Sequence, residues 1–424
     1  MSTRPVTKKE ILAWCLYDFA NSSFTTVIVT AFYVLYFKNV VFAERTGLGD
    51  LWWGISISMS MIVVALSSPI LGAIADCSGT KKRFLLAYTG VCILFTSLLY
   101  FVGPGDVIPG VLFFVLANIG FEGALVFYNA FLPEIAGRHD MGKISGWGWS
   151  IGYLGGILSL LLIIPLAAHL KEGEAGVQLA RLTFPTIGLF ILLASLPTFL
   201  ILRERAVPLL LPVGSSYFRE GARRLGTTFR HIRRYRELLK FLLAFFVYED
   251  AMITIIAFTA SYADQTLHFT PRENLLMILL VNPAAAVGAF LFGYIFDKAG
   301  PKRTISWTLV LWIMVVVAAF FVQTKAQFLT VAMIAGLVLG STQSASRGMV
   351  GLFSPRRHNA EFFGFYAVSG KFSAIIGPVV FGTISSVTQS QRLAVLSIAP
   401  FFLAGLIMLQ WVDEQKGMQA AIQA

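Results

Sequence analysis

Residues 72–82 read GAIADCSGTKK, and residues 293–303 read GYIFDKAGPKR. Both stretches place a glycine, an aspartate, a second glycine and two cations at matching positions, with a constant offset of 221 between the copies. A motif repeated at one fixed distance indicates an internal duplication. Each copy follows a long apolar run, so it predicts a tight turn between two helices, with the cations opening the second helix.

The duplication extends well beyond this loop motif. Prolines and glycines further along match at an offset of 222, which one inserted residue reconciles with 221: Pro133 with Pro355, Gly148 with Gly370, and Gly155 with Gly377. Near the start of each half, the Tyr-Asp pair at 17–18 matches the Tyr-Glu pair at 248–249 at an offset of 231, which predicts a longer first connection in the first half. The sequence therefore predicts two halves of one architecture, related as a parallel repeat.

Composition predicts that both halves lie in a membrane. The chain has 424 residues, of which 57% are apolar and only 13% are charged, whereas a soluble domain is about a quarter charged. A span needs roughly 20 consecutive apolar residues, and backbone in hydrocarbon must satisfy its own hydrogen bonds, which favours helices. Twelve helical spans are predicted, near residues 12–38, 52–75, 83–103, 107–132, 144–168, 181–202, 239–262, 274–296, 303–323, 327–350, 362–386 and 391–412.

The basic residues are divided unequally between the two sides of the membrane. Twelve spans place both termini on one side, which holds 25 of the lysines and arginines, while Lys371 lies inside a span. The other side holds seven: Lys38, Arg45, Lys171, Arg181, Arg272, Lys325 and Arg392. Basic loops stay in the cytoplasm, so we predict a multi-pass protein of the cytoplasmic (inner) membrane with both termini cytoplasmic. This division accounts for the net charge of +11 and requires no nucleic-acid partner.

One long connection separates the two halves. We expect a six-helix bundle over residues 1–202, a cytoplasmic linker over 203–238 and a second six-helix bundle over 239–424. In and just after the linker, apolar residues recur at helical spacing between arginines: Phe218, Ala222, Leu225, Phe229, Ile232 and Leu239. This pattern predicts an amphipathic helix on the anionic inner leaflet. The expected role is a topology anchor and tether, with regulation as the alternative.

The loop motif, G-x-x-x-D-x-x-G-x-K-K/R, resembles that of the major facilitator superfamily and occurs at the corresponding loop of both halves. Four segments are similar to the Unknown Major Facilitator family, which is related to the yeast autophagy-linked vacuolar amino-acid effluxer: WCLYDFANSSF at 14–24, FYNAFLP at 127–133, SGWGWSIGYLGG at 145–156 and EFFGFYAVSGKF at 361–372. The resemblance covers most of the chain. It implies an all-α major facilitator fold of twelve helices in two pseudo-symmetric halves. It also implies secondary transport through a cavity lined by the first, fourth, seventh and tenth spans.

The loop motif is expected to act as a gate. In each copy the aspartate ends one helix and can cap or pair with a neighbouring helix end while the cytoplasmic side is closed. The alternative is a static staple that also fixes topology. The predicted gating residues are Gly72, Asp76, Gly79, Lys81, Lys82, Arg83, Gly293, Asp297, Gly300, Lys302 and Arg303.

Polar side chains inside the spans are the predicted solute and proton pathway, because burying a charge in hydrocarbon costs at least about 2.5 kcal/mol. They fall on the four spans that line the cavity in the superfamily, and steps of three, four and seven place neighbours on one helix face. They are Asp18 and Asn21 in the first span, Asn118, Glu122 and Asn129 in the fourth, Glu249 and Asp250 in the seventh, and Gln343 and Arg347 in the tenth.

Lys371 is a further charge inside a span, and its own helix has no carboxylate three or four residues away. We expect its partner on another helix, with Glu122 the first choice and Glu249 the second. The ammonium and carboxylate of an amino acid or peptide can displace such an ion pair, and the alternative is a permanent structural salt bridge. Asp18 and Glu249 are the predicted proton-binding groups, with hydrogen bonds to the adjacent tyrosines as the alternative.

The remaining sequence features limit the function. The sequence has no glycine-rich phosphate-binding loop, and its three cysteines, Cys15, Cys77 and Cys92, lack metal-ligand spacing. We therefore expect no enzyme activity, cofactor or metal site. The expected partners of this monomer are a small-molecule solute, a coupling ion (a proton) and membrane lipids. Two alternatives stay open: a non-transporting receptor or scaffold, and a lipid flippase of the same fold.

Overall fold

The computed structural model describes residues 5–42, 48–171, 173–209, 216–230 and 232–423. All regular structure in these ranges is helical, and twelve helices there are long and apolar enough to cross a membrane. The predicted all-α class and number of spans are thus confirmed. The spans are Lys8–Val41, Leu48–Ser78, Lys81–Phe101, Val107–Ile135, Met141–Leu170, Gly173–Ile201, Arg233–Leu267, Arg272–Ala299, Pro301–Phe321, Lys325–Phe353, Asn359–Thr388 and Gln391–Gln410.

Several spans consist of consecutive helical segments. The first alternates α-helix and π-helix: Lys8–Ser23 (α), Phe24–Ala31 (π), Tyr33–Tyr36 (α) and Phe37–Val41 (π). The others are Lys81–Leu98 and Leu99–Phe101 in the third, Val107–Ala130 and Leu132–Ile135 in the fourth, Met141–Ala167 and Ala168–Lys171 in the fifth, Gly173–Arg181 and Thr183–Ile201 in the sixth, Ile232–Tyr235 and Arg236–Leu267 in the seventh, Asn359–Phe372 and Ile376–Thr388 in the eleventh, and Gln391–Leu396 and Ala399–Gln410 in the twelfth. The eighth span is the helix Pro271–Ala299.

Two shorter helices lie outside the spans. The linker helix is Tyr217–Arg230, and the C-terminal helix is Glu414–Gln423. Residues 210–215 and 231 of the predicted linker lie outside the described residues. Contact between the linker helix and lipid stays a prediction.

Capping boxes explain where three of the described spans begin. In each, a threonine side chain accepts a hydrogen bond from the backbone N–H three residues on, and that residue's side chain accepts one from the threonine N–H: Thr7 with Glu10, Thr270 with Glu273, and Thr324 with Gln327. Such a cap contributes about 1 kcal/mol to helix stability.

The chain divides into two compact units that do not coincide with the two sequence halves. The first unit comprises Met1–Phe131 and Ile151–Ala222, and the second comprises Leu132–Ser150 and Arg223–Ala424. The beginning of the fifth span therefore belongs to the second unit. The predicted bundle boundaries at 202 and 239 stay a prediction about the sequence halves.

Aromatic rings form much of the core of the first unit. Tyr33 of the first span is fully buried, and its hydroxyl donates to the Gly110 carbonyl oxygen of the fourth span at 2.8 Å. Its ring contacts Trp53, Phe114 and Phe184, from the second, fourth and sixth spans. One aromatic cluster therefore joins four spans of this unit.

Glycines join the eighth and tenth spans of the second unit. A Cβ added to Gly288 would lie 1.9 Å from the Leu337 carbonyl oxygen, and one added to Gly340 would lie 2.0 Å from that of Ala285. These distances leave no room for a side chain. Small residues allow this backbone approach between membrane helices.

Large apolar side chains are exposed in each of the two units. Leu200 is 73% exposed, Val387 78% and Ile108 79%. Hydrocarbon rather than water suits such a surface, since a soluble monomer exposes few contiguous apolar patches of this kind.

Candidate functional site

The eleventh span is broken in its middle. Its leading segment ends at Phe372, one residue after Lys371, and its trailing segment begins at Ile376. Pro378 explains the break, because proline has no N–H to donate to the Ala374 carbonyl and its ring clashes with that group. The backbone N–H groups at the start of the trailing segment then lack helical partners. Inside a membrane they need another acceptor.

Asp250 of the seventh span supplies that acceptor. Its Oδ2 accepts a hydrogen bond from the backbone N–H of Gly377 at 2.7 Å, and the residue is 1% exposed. Its Oδ1 is also buried but completes no hydrogen bond. A carboxylate is favoured at a helix N-terminus by the helix dipole. The break is therefore capped by a charge from another helix.

Close packing holds the break against the seventh span. A Cβ added to Gly377 would lie 2.2 Å from Thr254 Oγ1 and 3.1 Å from the Asp250 carbonyl oxygen. The Thr254 hydroxyl donates to that same oxygen at 2.7 Å. A residue larger than glycine would therefore require the Thr254 side chain or the two spans to shift.

Glu249 and Lys371 bring opposite charges to the break. Lys371 lies in the last turn of the leading segment, near enough to the Glu249 carboxylate of the seventh span for the opposite charges to attract. Glu249 is the second of the two partners predicted for Lys371. Its Oε2 is buried and has no hydrogen-bond partner. The pairing with Glu122 stays a prediction, because Glu122 belongs to the first unit and Lys371 to the second.

The tyrosines next to the two predicted proton-binding carboxylates contact other hydroxyl groups. The Tyr17 hydroxyl lies 2.7 Å from Thr89 Oγ1, and the Tyr248 hydroxyl lies 2.7 Å from Ser346 Oγ. Each tyrosine thus joins its span to another helix of its own unit. A hydrogen bond between each carboxylate and its adjacent tyrosine stays a prediction.

The first unit repeats the glycine contact seen at the break. A Cβ added to Gly155 of the fifth span would lie 2.1 Å from the Phe19 carbonyl oxygen of the first span. Gly377 approaches the Asp250 carbonyl oxygen in the second unit. The two glycines differ by 222 and their partners by 231, which are the offsets of the duplication. Asp18, next to Phe19, is buried and corresponds to Glu249.

The other predicted pathway residues of the first unit lie on the first and fourth spans. Asn21, Asn118 and Glu122 are buried, while Asn129 is partly exposed. The Asn118 amide donates to Ser60 Oγ of the second span at 2.6 Å. This bond favours a role for Asn118 in helix packing. A π-helix begins three residues after Asn21, and π-helical turns are frequent at functional sites.

Arg347 of the tenth span is held by the fifth span. Its guanidinium is 2% exposed and donates to Ser145 Oγ at 3.0 Å and to the Ser145 carbonyl oxygen at 2.7 Å. It also lies 5.2 Å from the centre of the Trp149 ring. Gln343, one turn away, is partly exposed. Arg347 therefore clamps two helices of the second unit in this structure.

Asp297 of the loop motif caps the start of the fifth span. Its two carboxylate oxygens accept hydrogen bonds from the backbone N–H groups of Gly142 and Lys143, each at 2.8 Å. Gly293 makes the approach possible, since a Cβ there would lie 2.7 Å from the Gly142 carbonyl oxygen. The sequence predicts a helix-end cap or an ion pair for this aspartate. The hydrogen bonds described here are those of a helix-end cap.

The first copy of the loop motif contains a buried ion pair. Asp76 Oδ1 lies 3.6 Å from the Lys81 ammonium, and both side chains are 1% exposed. Gly72 is buried one helical turn earlier. Gly79 and its counterpart Gly300 have φ angles of 62° and 93°, a left-handed conformation that favours glycine. The two turns therefore require the glycines that the motif carries.

A lysine at the second position of the following helix closes the loop in both halves. The Lys82 N–H donates to Glu204 Oε2 at 2.8 Å, and its ammonium donates to the Leu202 carbonyl oxygen at 2.5 Å. The Lys302 N–H donates to the Glu414 carboxylate, and its ammonium donates to carbonyl oxygens at the end of the twelfth span. A glutamate after the last span of each half thus caps the third helix of that half.

These contacts correct the predicted alignment of the cations. Lys82 corresponds to Lys302, at an offset of 220 rather than 221. The reason is that Thr80 stands between Gly79 and its helix, whereas Gly300 directly precedes the helix that begins at Pro301. The next cations are exposed in both copies: Arg83 and Arg303.

The break itself was not predicted. The sequence pattern predicts a continuous eleventh span over 362–386, in which Gly377 is the counterpart of Gly155. The adjacent Gly377 and Pro378 in the middle of an apolar run, six residues after a lysine, are the signal that indicates a break.

The fold matches that of a solved transporter. The human organic anion transporter MFSD10 (TETRAN) superposes with a TM-score of 0.76 at 14% identity, covering 96% of this chain and 100% of that chain. The twelve spans and the loop motif in both halves, together with this fold, define a secondary transporter of the major facilitator superfamily.

Sequence comparison identifies the family within that class. Residues 54–422 match the family described as vacuole effluxer Atg22 like. The uncharacterized MFS-type transporter YxiO of Bacillus subtilis (strain 168) is 30% identical over 98% of this chain and 97% of its own length. Autophagy-related protein 22-1 of Penicillium rubens is 22% identical over 87% of this chain and 76% of its own. The chain belongs to the Atg22-like family of major facilitator transporters.

Proposed function

We propose that this chain is a proton-coupled transporter that moves a small zwitterionic solute, with an amino acid as the first choice, by alternating access. The observation that carries the proposal is the broken eleventh span, with Lys371 just before the break, Asp250 at its cap and Glu249 beside them. Discontinuous helices at mid-membrane bind solutes and coupling ions in many secondary transporters, because their ends present unpaired backbone groups.

The charges at the break suit the two ends of an amino acid. The solute carboxylate is complementary to the Lys371 ammonium, and the solute ammonium is complementary to the Glu249 carboxylate. A solute that carries both charges replaces each partner of the pair, so neither charge is left buried alone. An uncharged sugar offers no such replacement, and separating the two charges without one is unfavourable where water is scarce.

Glu249 is the proposed proton carrier. Its Oε2 is buried and accepts no hydrogen bond, so protonation removes a poorly solvated charge. A proton and the solute ammonium then compete for the same carboxylate, so movement of the solute in one direction is coupled to movement of a proton in the other. Asp18 occupies the corresponding position in the first half and is the second choice.

The contacts of the fifth span with Asp297 and Arg347 are the proposed gate. They hold the start of the fifth span with two N–H···carboxylate bonds and one buried guanidinium. Charge-assisted hydrogen bonds of this kind are stronger than neutral ones, yet few enough to break in a transport cycle. We assign this end of the spans to the cytoplasm from the excess of basic loop residues, with the chain a monomer in the cytoplasmic membrane.

Reconstituted transport tests the proposal. Purified protein is placed in liposomes that hold a trapped pH dye, and pools of amino acids, dipeptides, sugars and organic acids are added outside. Glu249→Gln is compared with Glu174→Gln, a matched control at an exposed carboxylate. We expect an amino-acid pool to change the internal pH with the wild type and the control but not with Glu249→Gln.

Two results would contradict the proposal: no pH change with any pool, or a pH change that Glu249→Gln retains. A fluorescent phospholipid added to the same liposomes covers the flippase alternative, which predicts lipid translocation without a response to any pool.

A further inference from the structure

A cavity of about 530 Å³ lies in the second unit, away from the broken span. Three arginines line it: Arg138 after the fourth span, and Arg356 and Arg357 between the tenth and eleventh spans. No carboxylate occurs among the described residues that line it. The cavity therefore concentrates positive charge that its own wall does not neutralise.

Ser354 supplies a second, independent indication of a ligand. This residue lines the same cavity and is only 4% exposed, and its hydroxyl has no hydrogen-bond partner. A buried polar group without a partner destabilises the folded protein. The hydroxyl is explained if a molecule in the cavity accepts its hydrogen bond.

The chemistry of the wall points to a phosphate group. Guanidinium groups bind phosphate oxygens in a two-pronged arrangement, and a serine hydroxyl can donate to a further oxygen. The rest of the wall is apolar and includes Met141, Leu352 and Ile422 of the C-terminal helix. An apolar wall beside an arginine cluster suits a phosphate ester that carries a carbon chain.

We propose that this cavity binds a phosphate monoester or diester through Arg138, Arg356, Arg357 and Ser354. The source is either the headgroup of an anionic phospholipid or a soluble phosphate compound. The bound anion joins two loops to the C-terminal helix, which Arg138 already contacts through the Met418 carbonyl oxygen at 3.1 Å. None of these residues belongs to the proposed solute pathway.

Thermal unfolding of the purified full-length protein tests the site. One arm titrates inorganic phosphate at constant ionic strength in detergent. The other compares nanodiscs of phosphatidylcholine with nanodiscs that contain phosphatidylglycerol. Arg356→Gln/Arg357→Gln is compared with Arg219→Gln/Arg230→Gln, a matched pair of exposed arginines on the linker helix. Ser354→Ala is the third variant.

We expect an anion-dependent rise in melting temperature for the wild type and the linker control. In the Arg356→Gln/Arg357→Gln variant, the affinity for the anion should fall by about tenfold or more, because one to two charge-assisted contacts are lost. Ser354→Ala should weaken the anion response without lowering the melting temperature in anion-free buffer, because its hydroxyl has no protein partner to lose.

The two arms identify the source. A response to inorganic phosphate supports a soluble ligand, and a response to phosphatidylglycerol nanodiscs alone supports a lipid headgroup. Absence of a response in both arms overturns the proposal, as does a response that falls equally in the cavity variant and the linker control.

Discussion

The Asp250 carboxylate lies 2.7 Å from the backbone nitrogen of Gly377 and caps the second segment of the broken eleventh span. The contact joins the seventh and eleventh spans at the level of Lys371 and Glu249. A change in one of these spans is therefore transmitted directly to the other.

Replacing Asp250 separates the hydrogen bond from the charge. Asp250→Ala removes the acceptor for the Gly377 N–H and should lower the free energy of unfolding by about 1–2 kcal/mol. Asp250→Asn keeps a carbonyl oxygen at the same position, so its free energy of unfolding should fall by less than half as much. Unfolding of the purified variants measures both values. If both variants match the wild type, the cap does not hold the break together.

Gly377→Ala tests the close approach at the break. The added methyl would meet Thr254 Oγ1 at 2.2 Å, so we expect a loss of about 1–3 kcal/mol of stability. Gly382→Ala is the matched control, because it lies in the same segment with no atom within 4 Å of its added Cβ. Thr254→Ala should restore part of the loss. Equal melting temperatures for the two glycine variants would contradict the packing described here.

The cap on the fifth span predicts a local change in hydrogen exchange. Asp297→Ala removes both acceptors for the N–H groups of Gly142 and Lys143. Amide hydrogen exchange in the peptide 141–150 should therefore accelerate by about tenfold, which corresponds to the net contribution of one hydrogen bond. Asp140→Ala is the control, since the Asp140 side chain is half exposed and pairs with the Lys143 ammonium rather than with a backbone N–H of the helix. Similar exchange in the two variants would show that Asp297 does not protect this helix end.

Arg347→Lys should destabilise the protein although it conserves charge. Lysine lacks the planar fork that donates to both Ser145 oxygens, and we expect a loss of about 2 kcal/mol in unfolding free energy. Arg303→Lys, at an exposed arginine, should change stability by less than about 0.5 kcal/mol. A thermal melt of both variants checks the difference. Comparable small losses would mean that the Arg347 clamp contributes little.

The duplication made most of the fold predictable. Its offsets anticipate even the paired contacts of Gly155 with the first span and Gly377 with the seventh. Hydropathy cannot show where a helix unwinds, because Ser373 to Ile375 are as compatible with a span as their neighbours. The break therefore cannot be predicted from hydropathy. It has to be inferred from Pro378 and the residues around it.

Contacts between distant segments were the hardest part to predict. Asp297 binds the start of the fifth span because the fold brings Gly142 beside it, and no local pattern encodes that neighbour. The correspondence of Lys82 with Lys302 depends on turn length. Thr80 changes that length by one residue without disturbing the motif.

The role of Glu249 in proton coupling can be tested in proteoliposomes of the wild type and Glu249→Gln with the transported solute. It compares accumulation driven by a pH gradient with exchange of labelled solute at equal pH. If Glu249 carries the coupling proton, the variant should fail to accumulate solute but still exchange it, because the glutamine oxygen still accepts a hydrogen bond from the solute ammonium and exchange moves no net protons. Accumulation by Glu249→Gln at the wild-type level would show that Glu249 does not carry the coupling proton.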